Sequence, residues 1–146
     1  MRPMQLTILK RHPDAVFPAY QTPGAAAFDL AIIEDVALGP RSIAKVRTGL
    51  VIQTPPGHVL VLASRSSNPM KKGIDLANSI GVIDSDYRGP EDEILLLLVN
   101  VTDGEVRLSK GDRVAQGMIL PVMRPEIVEI DHIDEVNRGG FGTTGT

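Results

Sequence analysis

The chain has 146 residues, 42% of them hydrophobic and 23% charged, with a formal net charge of −3, which is enough for one domain with one sizeable core. No apolar run approaches the roughly 20 residues of a bilayer span, and the charge balance excludes the dense basic surface that binds a nucleic-acid backbone. The absence of cysteine excludes disulfides, thiolate nucleophiles and thiolate metal sites together.

Three scattered histidines, His12, His58 and His132, argue against a histidine zinc site, so any metal is expected to be a hard cation on oxygen ligands. The opening MRPMQLTILKRHPD has no apolar core of signal-peptide length, and a cytoplasmic location is expected. Fourteen glycines and eleven prolines interrupt the chain so often that short strands are the expected elements. In chain order they are QLTILK, AFDLAII, IAKVRTGLVIQ, HVLVLAS, EILLLLVNV, EVRL, DRVAQGMILPV and EIVEI, separated by turn residues such as LGPRS, TPPGH and DG. This spacing predicts an all-β barrel or sandwich. Only residues 68–76 carry a trace of helical pattern.

Several positions along this order invite chemistry. Asp29 lies in an otherwise apolar strand and needs a partner, either an arginine or a hydrated magnesium ion. The loop ASRSSNPMKKG, after HVLVL, gathers Arg65, Ser66, Ser67, Lys71 and Lys72, which suits phosphate oxygens as well as it suits a solvated strand end. ILLLLV is apolar on both faces, so a second sheet or a neighbouring subunit should cover the second face. SKGDRVAQ offers Gln116 as a neutral donor after a tight turn. The chain divides into a β domain at residues 1–130 and a glycine-rich arm at residues 131–146. The arm is too poor in apolar residues to fold alone. Its Arg138 and Phe141, flanked by glycines, suit a segment that lies over a planar phosphorylated ligand; a disordered tail is the plainer alternative.

NSIGVIDSDYRGPEDEI sets Asp84, Asp86 and Gly89 at positions one, three and six of an EF-hand loop. The fifth position is Arg88 and the twelfth is Leu95, where oxygen ligands are required, so calcium is set aside. A hairpin turn explains Asp, Ser and Gly but not Tyr87 among charges.

Taken together and in order, these segments resemble the five motifs of the trimeric dUTP diphosphatase (dUTPase) family, from about Pro23 to the C-terminus. NSIGVIDSDYRG is similar to the third motif nearly residue for residue, GDRVAQ to the fourth and GGFGTTG to the end of the fifth. The resemblance implies a jelly-roll-like (β-clip) subunit, a homotrimer with shared active sites, and hydrolysis of dUTP to dUMP and pyrophosphate with Mg2+. It implies that Asp84 activates the water attacking the α-phosphorus. Asn78, Gly81, Val82 and Ile83 would read uracil, largely through backbone groups, and Tyr87 would leave no space for a 2′-hydroxyl. Arg65, Ser66, Ser67 and Gln116 would hold the phosphates, Asp29 would contact magnesium through water, and Arg138 and Phe141 would close over the ligand.

The chain departs from the family pattern at four places. Ala27 replaces a glycine of the first motif. Ser67 and Asn68 replace a glycine and a leucine of the second, which matters if that loop needs positive φ. A related deaminase family with the same fold expects an arginine where Met70 stands. In the arm, Val136 occupies the usual arginine position and Arg138 stands closer to Phe141. The link after Tyr87, GPEDEI, is also about three residues longer than the common form and carries acidic residues expected near the base pocket. Two alternatives remain open: a pyrophosphatase of the same fold with altered base preference, and a non-catalytic trimeric module that binds nucleotide or protein.

Overall fold

The computed structural model describes residues 4–145, so the extreme ends of the two expected segments, residues 1–3 and Thr146, lie outside it. Eleven short strands form among the described residues: β1 Thr7–Lys10, β2 Phe28–Ala31, β3 Val36–Leu38, β4 Ile43–Arg47, β5 Leu50–Gln53, β6 His58–Ala63, β7 Ile74–Leu76, β8 Ile80–Ile83, β9 Leu95–Asn100, β10 Val106–Leu108 and β11 Arg113–Pro121. Every pairing is antiparallel. A four-stranded sheet in the order β2-β11-β6-β8 and a three-stranded sheet β4-β9-β7 are joined by the pairs β1-β5 and β10-β3. The result is the expected all-β, jelly-roll-like body.

Alternation along each strand builds the core. On β6, Leu60 and Leu62 are buried while Val59, Val61 and Ala63 are half-buried on the other face, as the two-residue period requires. On β9, Leu96 and Leu98 enter the core beside Leu30, Ile52, Ile74 and Ile94. Its Leu97 stays 38% exposed on this chain, so within the chain only one face of ILLLLV is fully covered.

IAKVRTGLVIQ is not one strand but two. The break falls at Thr48 and Gly49, where φ is +68° and a Cβ would stand 3.0 Å from Ala15 Cβ and His12 Cβ, so only glycine fits. The helical trace at residues 68–76 resolves into one π-helical turn, Asn68–Lys72, ended by Gly73 in the left-handed region and followed by β7. EIVEI forms no strand: residues 126–130 are exposed, Ile127 almost wholly. The last sheet-linked contact before them is the Val122 N–H, which donates to the Gly57 carbonyl at 2.9 Å.

Candidate active site

The four-stranded sheet carries the site residues in rows. Register places Asp29 opposite Gln116, Gln116 opposite Ala63 and Ala63 opposite Ile80. The adjacent row, Phe28, Gly117, Leu62 and Gly81, faces the core. There a Cβ on Gly117 would meet the Phe28 ring at 2.7 Å, and one on Gly81 would meet Leu62 at 2.9 Å. These two glycines let large neighbours fill the layer beneath the site.

Asp29 finds arginines. Its Oδ1 lies 3.1 Å from Arg65 Nε and its Oδ2 lies 3.1 Å from Arg113 Nη1, with the carboxylate side chain 11% exposed. Arg113 reaches it because of a register shift between Arg113 and Ala115. That bulge brings Arg113 opposite Ala31, two residues from Asp29 and therefore on the same face. Sequence reasoning named Asp29 and Arg65 but missed Arg113; the only signal was its place inside GDRVAQ.

Beyond β6, Arg65 Nη1 also donates to the Arg113 carbonyl at 3.1 Å, and Gln116 Nε2 donates to the Ser64 carbonyl at 2.8 Å. Ser66 is exposed and Ser67 half-buried. Ser67 takes an ordinary helical φ of −85°, so a serine is unstrained there. Asn68, where the family pattern has leucine, is wholly buried. Its Nδ2 donates to the Val114 carbonyl at 2.7 Å and to Ser64 Oγ at 3.1 Å, tying this loop to β11.

At the β8 edge of the sheet the expected hairpin is instead a tight turn between sheets: β7 pairs with β9 and β8 with β6, and residues 77–79 join them beside Ala63. Ser79 makes the turn with φ +63°, its N–H donating to the Leu76 carbonyl at 3.2 Å and that of Ile80 to the Asn78 carbonyl at 2.7 Å. A non-glycine residue in this region is sparsely populated and is typical of functional turns. A cavity of about 120 Å³ opens here between Asn78, Gly81, Val82, Ile83 and the Leu95 to Leu97 stretch of β9. None of Glu91, Asp92 and Glu93 lines it. Asp84 follows directly and lines a second, wider cavity of about 400 Å³ with His58, Asp86 and Arg124.

The turn after Asp84 is closed by the Tyr87 N–H on the Asp84 carbonyl at 3.2 Å. The Tyr87 hydroxyl donates to the Glu93 carbonyl at 2.8 Å. The acidic insertion was expected beside the base pocket, and Glu93 instead turns inward. Its Oε1 accepts from Arg47 Nε at 3.1 Å and from the Gly49 N–H at 2.7 Å; its Oε2 accepts from Arg47 Nη2 at 3.0 Å and Arg11 Nη1 at 3.4 Å. Burial pushes the Glu93 carboxyl up, but the Arg47 and Gly49 hydrogen bonds and the charges of Arg47 and Arg11 outweigh it and hold the group below its ordinary value. Asp92 caps the same loop by accepting the Gly89 N–H at 2.7 Å.

One chain does not bring all predicted residues together. Ile83 pairs with Leu60 and Ile80 with Ala63, so Asp84 lies at the start of β6 while Ser64 to Ser67 lie past its end. Leu60 to Ser64 is roughly 13 Å along the strand at about 3.3 Å per residue. Arg138 and Phe141 stand apart from both groups, each exposed to solvent. Among the described residues no cluster of three or more His, Cys, Asp or Glu could hold a metal ion, and no helix is long and apolar enough to cross a membrane.

A β-rich fold with a small cavity, a carboxylate next along the chain and a hydroxyl-guanidinium loop places the chain among all-β, jelly-roll-like proteins whose polar groups suit a nucleotide. The model of the dUTPase family matches residues 14–145. The chain is 41% identical over 147 residues to a deoxyuridine 5'-triphosphate nucleotidohydrolase of Wolinella succinogenes, covering 99% of this chain and 97% of that one. It is also 41% identical to the protein of that name from a Hydrogenobaculum species, over 97% of this chain and 99% of that one. Among solved structures, a dUTPase from Streptococcus mutans aligns with a TM-score of 0.74 at 35% identity, covering 84% of this chain and 99% of that one. A Staphylococcus bacteriophage 80alpha dUTPase with dUPNHPP shares the fold at a TM-score of 0.86 and 24% identity, over 97% of this chain and 99% of that one. The chain belongs to the dUTPase family.

Proposed function

We propose that this protein is an enzyme that hydrolyses dUTP to dUMP and pyrophosphate, acting as a cytoplasmic homotrimer. The observation that carries the reading is the small cavity at Asn78, Gly81, Val82 and Ile83 next to Asp84, in a chain of the dUTPase family.

Uracil enters that cavity and pairs with main-chain groups of β8 and with Asn78. Cytosine would present a donor where uracil presents an acceptor, leaving buried groups unpaired at about 1–3 kcal/mol each. The Tyr87 ring packs against the deoxyribose and occupies the space of a 2′-hydroxyl. Asp84 accepts a proton from the water that attacks the α-phosphorus. General-base help of this kind is worth roughly 10²- to 10⁴-fold. Stabilisation of the phosphoryl charge supplies much of the rest. Ser66, Ser67, Gln116 and the Arg65 N–H groups not spent on Asp29 or the Arg113 carbonyl hold phosphate oxygens.

Asp84 and this loop lie at opposite ends of β6, which supports a site shared between subunits, with a second copy offering its loop to the Asp84 of the first. Arg138 and Phe141 close over the ligand from an arm that the domain does not hold, excluding water. The residues fit magnesium only indirectly. Asp29 gives one acceptor direction to each arginine and a carboxylate has about four, so its remaining lone pairs suit the water shell of an ion carried mainly by substrate phosphates. When bound, magnesium would neutralise phosphate charge.

The test is pyrophosphate release from dUTP, dCTP, dTTP and UTP. Preferred turnover of dUTP is expected. Preference for another base would favour the altered pyrophosphatase, and dUTP turnover no faster than magnesium alone would leave a binding module.

A further inference from the structure

The acidic insertion after Tyr87 takes no part in the chemistry above, yet it holds the most heavily bonded carboxylate among the described residues. Glu93 is 6% exposed at its side chain and is gripped by Arg47, Arg11 and the Gly49 N–H. Its own carbonyl accepts the Tyr87 hydroxyl at 2.8 Å. The carboxylate and the carbonyl belong to one residue, so fixing the first fixes the second. The loop between is braced at two more points: Asp92 accepts the Gly89 N–H, and Gln53 Nε2 donates to the Arg88 carbonyl at 3.1 Å.

We propose that Glu93 is a positioning residue for Tyr87: anchored by Arg47, Arg11 and Gly49, it holds the tyrosine ring in place and thereby sets how strictly the site rejects a ribonucleotide. This rests on the dUTP reading of the same site. A phenol tethered at its hydroxyl cannot swing about its Cα–Cβ bond to admit a 2′-hydroxyl. Released, the ring regains its rotamers, and steric exclusion, which depends on an immovable wall, weakens.

The experiment compares kcat/KM for dUTP and UTP in the unsubstituted protein, Glu93→Gln, Tyr87→Phe and the double variant, with thermal unfolding in parallel. Glu93→Gln is expected to lower the dUTP-to-UTP ratio by roughly 5- to 10-fold, the scale of one hydrogen bond. Tyr87→Phe should lower it by a similar factor, and the double variant by no more than either alone, since both cut the same tether. Should Glu93→Gln not fold, Arg47→Gln, which leaves a half-exposed position, carries the same expectation. A ratio that stays unchanged while both rates or the melting temperature fall would make Glu93 a stability element only and overturn the proposal. If the unsubstituted protein does not turn over dUTP, the functional reading falls first and the inference with it.

Discussion

Glu93 makes a quantitative prediction about acid stability. Glu93→Gln keeps the shape and an acceptor for the Gly49 N–H but removes the charge that faces Arg47 and Arg11. Breaking a wholly buried pair costs about 3–5 kcal/mol. Here the guanidinium side chains are 42% and 31% exposed and recover water when left alone, so about 2 kcal/mol is expected, the scale of charge-assisted hydrogen bonds. The sign with pH follows from the direction of the shift. The folded carboxyl lies below its ordinary value, and a glutamate in the unfolded chain titrates near 4.3. Its stabilisation is therefore fully present above about pH 4.3 and is lost as pH falls through the folded value. Urea unfolding of both proteins at matched concentration, from pH 7 to pH 3, should show a gap that is constant from neutrality to about pH 5 and narrows below it. Equal stability at pH 7, or a gap that widens on acidification, would refute the assignment of the charge cluster.

Four further outcomes are expected. Asp84→Asn should cut dUTP turnover by roughly 10²-fold or more while dUTP binding by calorimetry stays within a few-fold; an active variant would move the base elsewhere. Gly117→Ala should lower stability in thermal unfolding by about 1–3 kcal/mol, because its Cβ would stand 2.7 Å from the buried Phe28 ring; an unchanged melting temperature would mean that β11 and β2 can part. Asp29→Asn should lose about 1–3 kcal/mol by releasing Arg65 and Arg113 and should also raise the magnesium needed for half-maximal turnover, the second readout separating an ion contact from an arginine clamp. Removing residues 131–146, all but one of which through residue 145 are exposed, should leave stability within about 0.5 kcal/mol and lower dUTP turnover about 10²-fold; full turnover would refute closure by the arm.

The long strands were legible because β-branched and leucine runs between turn residues carry their own signal, as HVLVLA and RVAQGMILP do. Two strands of three residues, Val36–Leu38 and Ile74–Leu76, were not read, being too short for a period to be counted, whereas EVRL, equally short as Val106–Leu108, stood out between its flanking turns. EIVEI has a strand's composition but no strand beside it in this chain, and backbone pairing needs a partner. The Glu93 cluster was invisible for a different reason: Glu93 stands 46 residues from Arg47 and 82 from Arg11, and nothing local distinguishes an acidic loop residue that turns inward from one that faces solvent.

The candidate site divides the same way. Residue types at Asp84, Arg65 and Gln116 could be read locally, but their distances could not, since those depend on which strands pair and in what direction. Antiparallel pairing of β6 with β8 sends Asp84, after the end of β8, to one end of the sheet and the serine-arginine loop to the other. Between Asp84 and that loop runs the outward face of β6 and β8. The same outward face carries Ile80, Val82 and Leu120 at 50%, 60% and 43% exposure, an apolar surface on which a second copy can seat. Covering that face and completing the phosphate site are then one event, so dilution that separates the subunits should abolish turnover even where each chain stays folded.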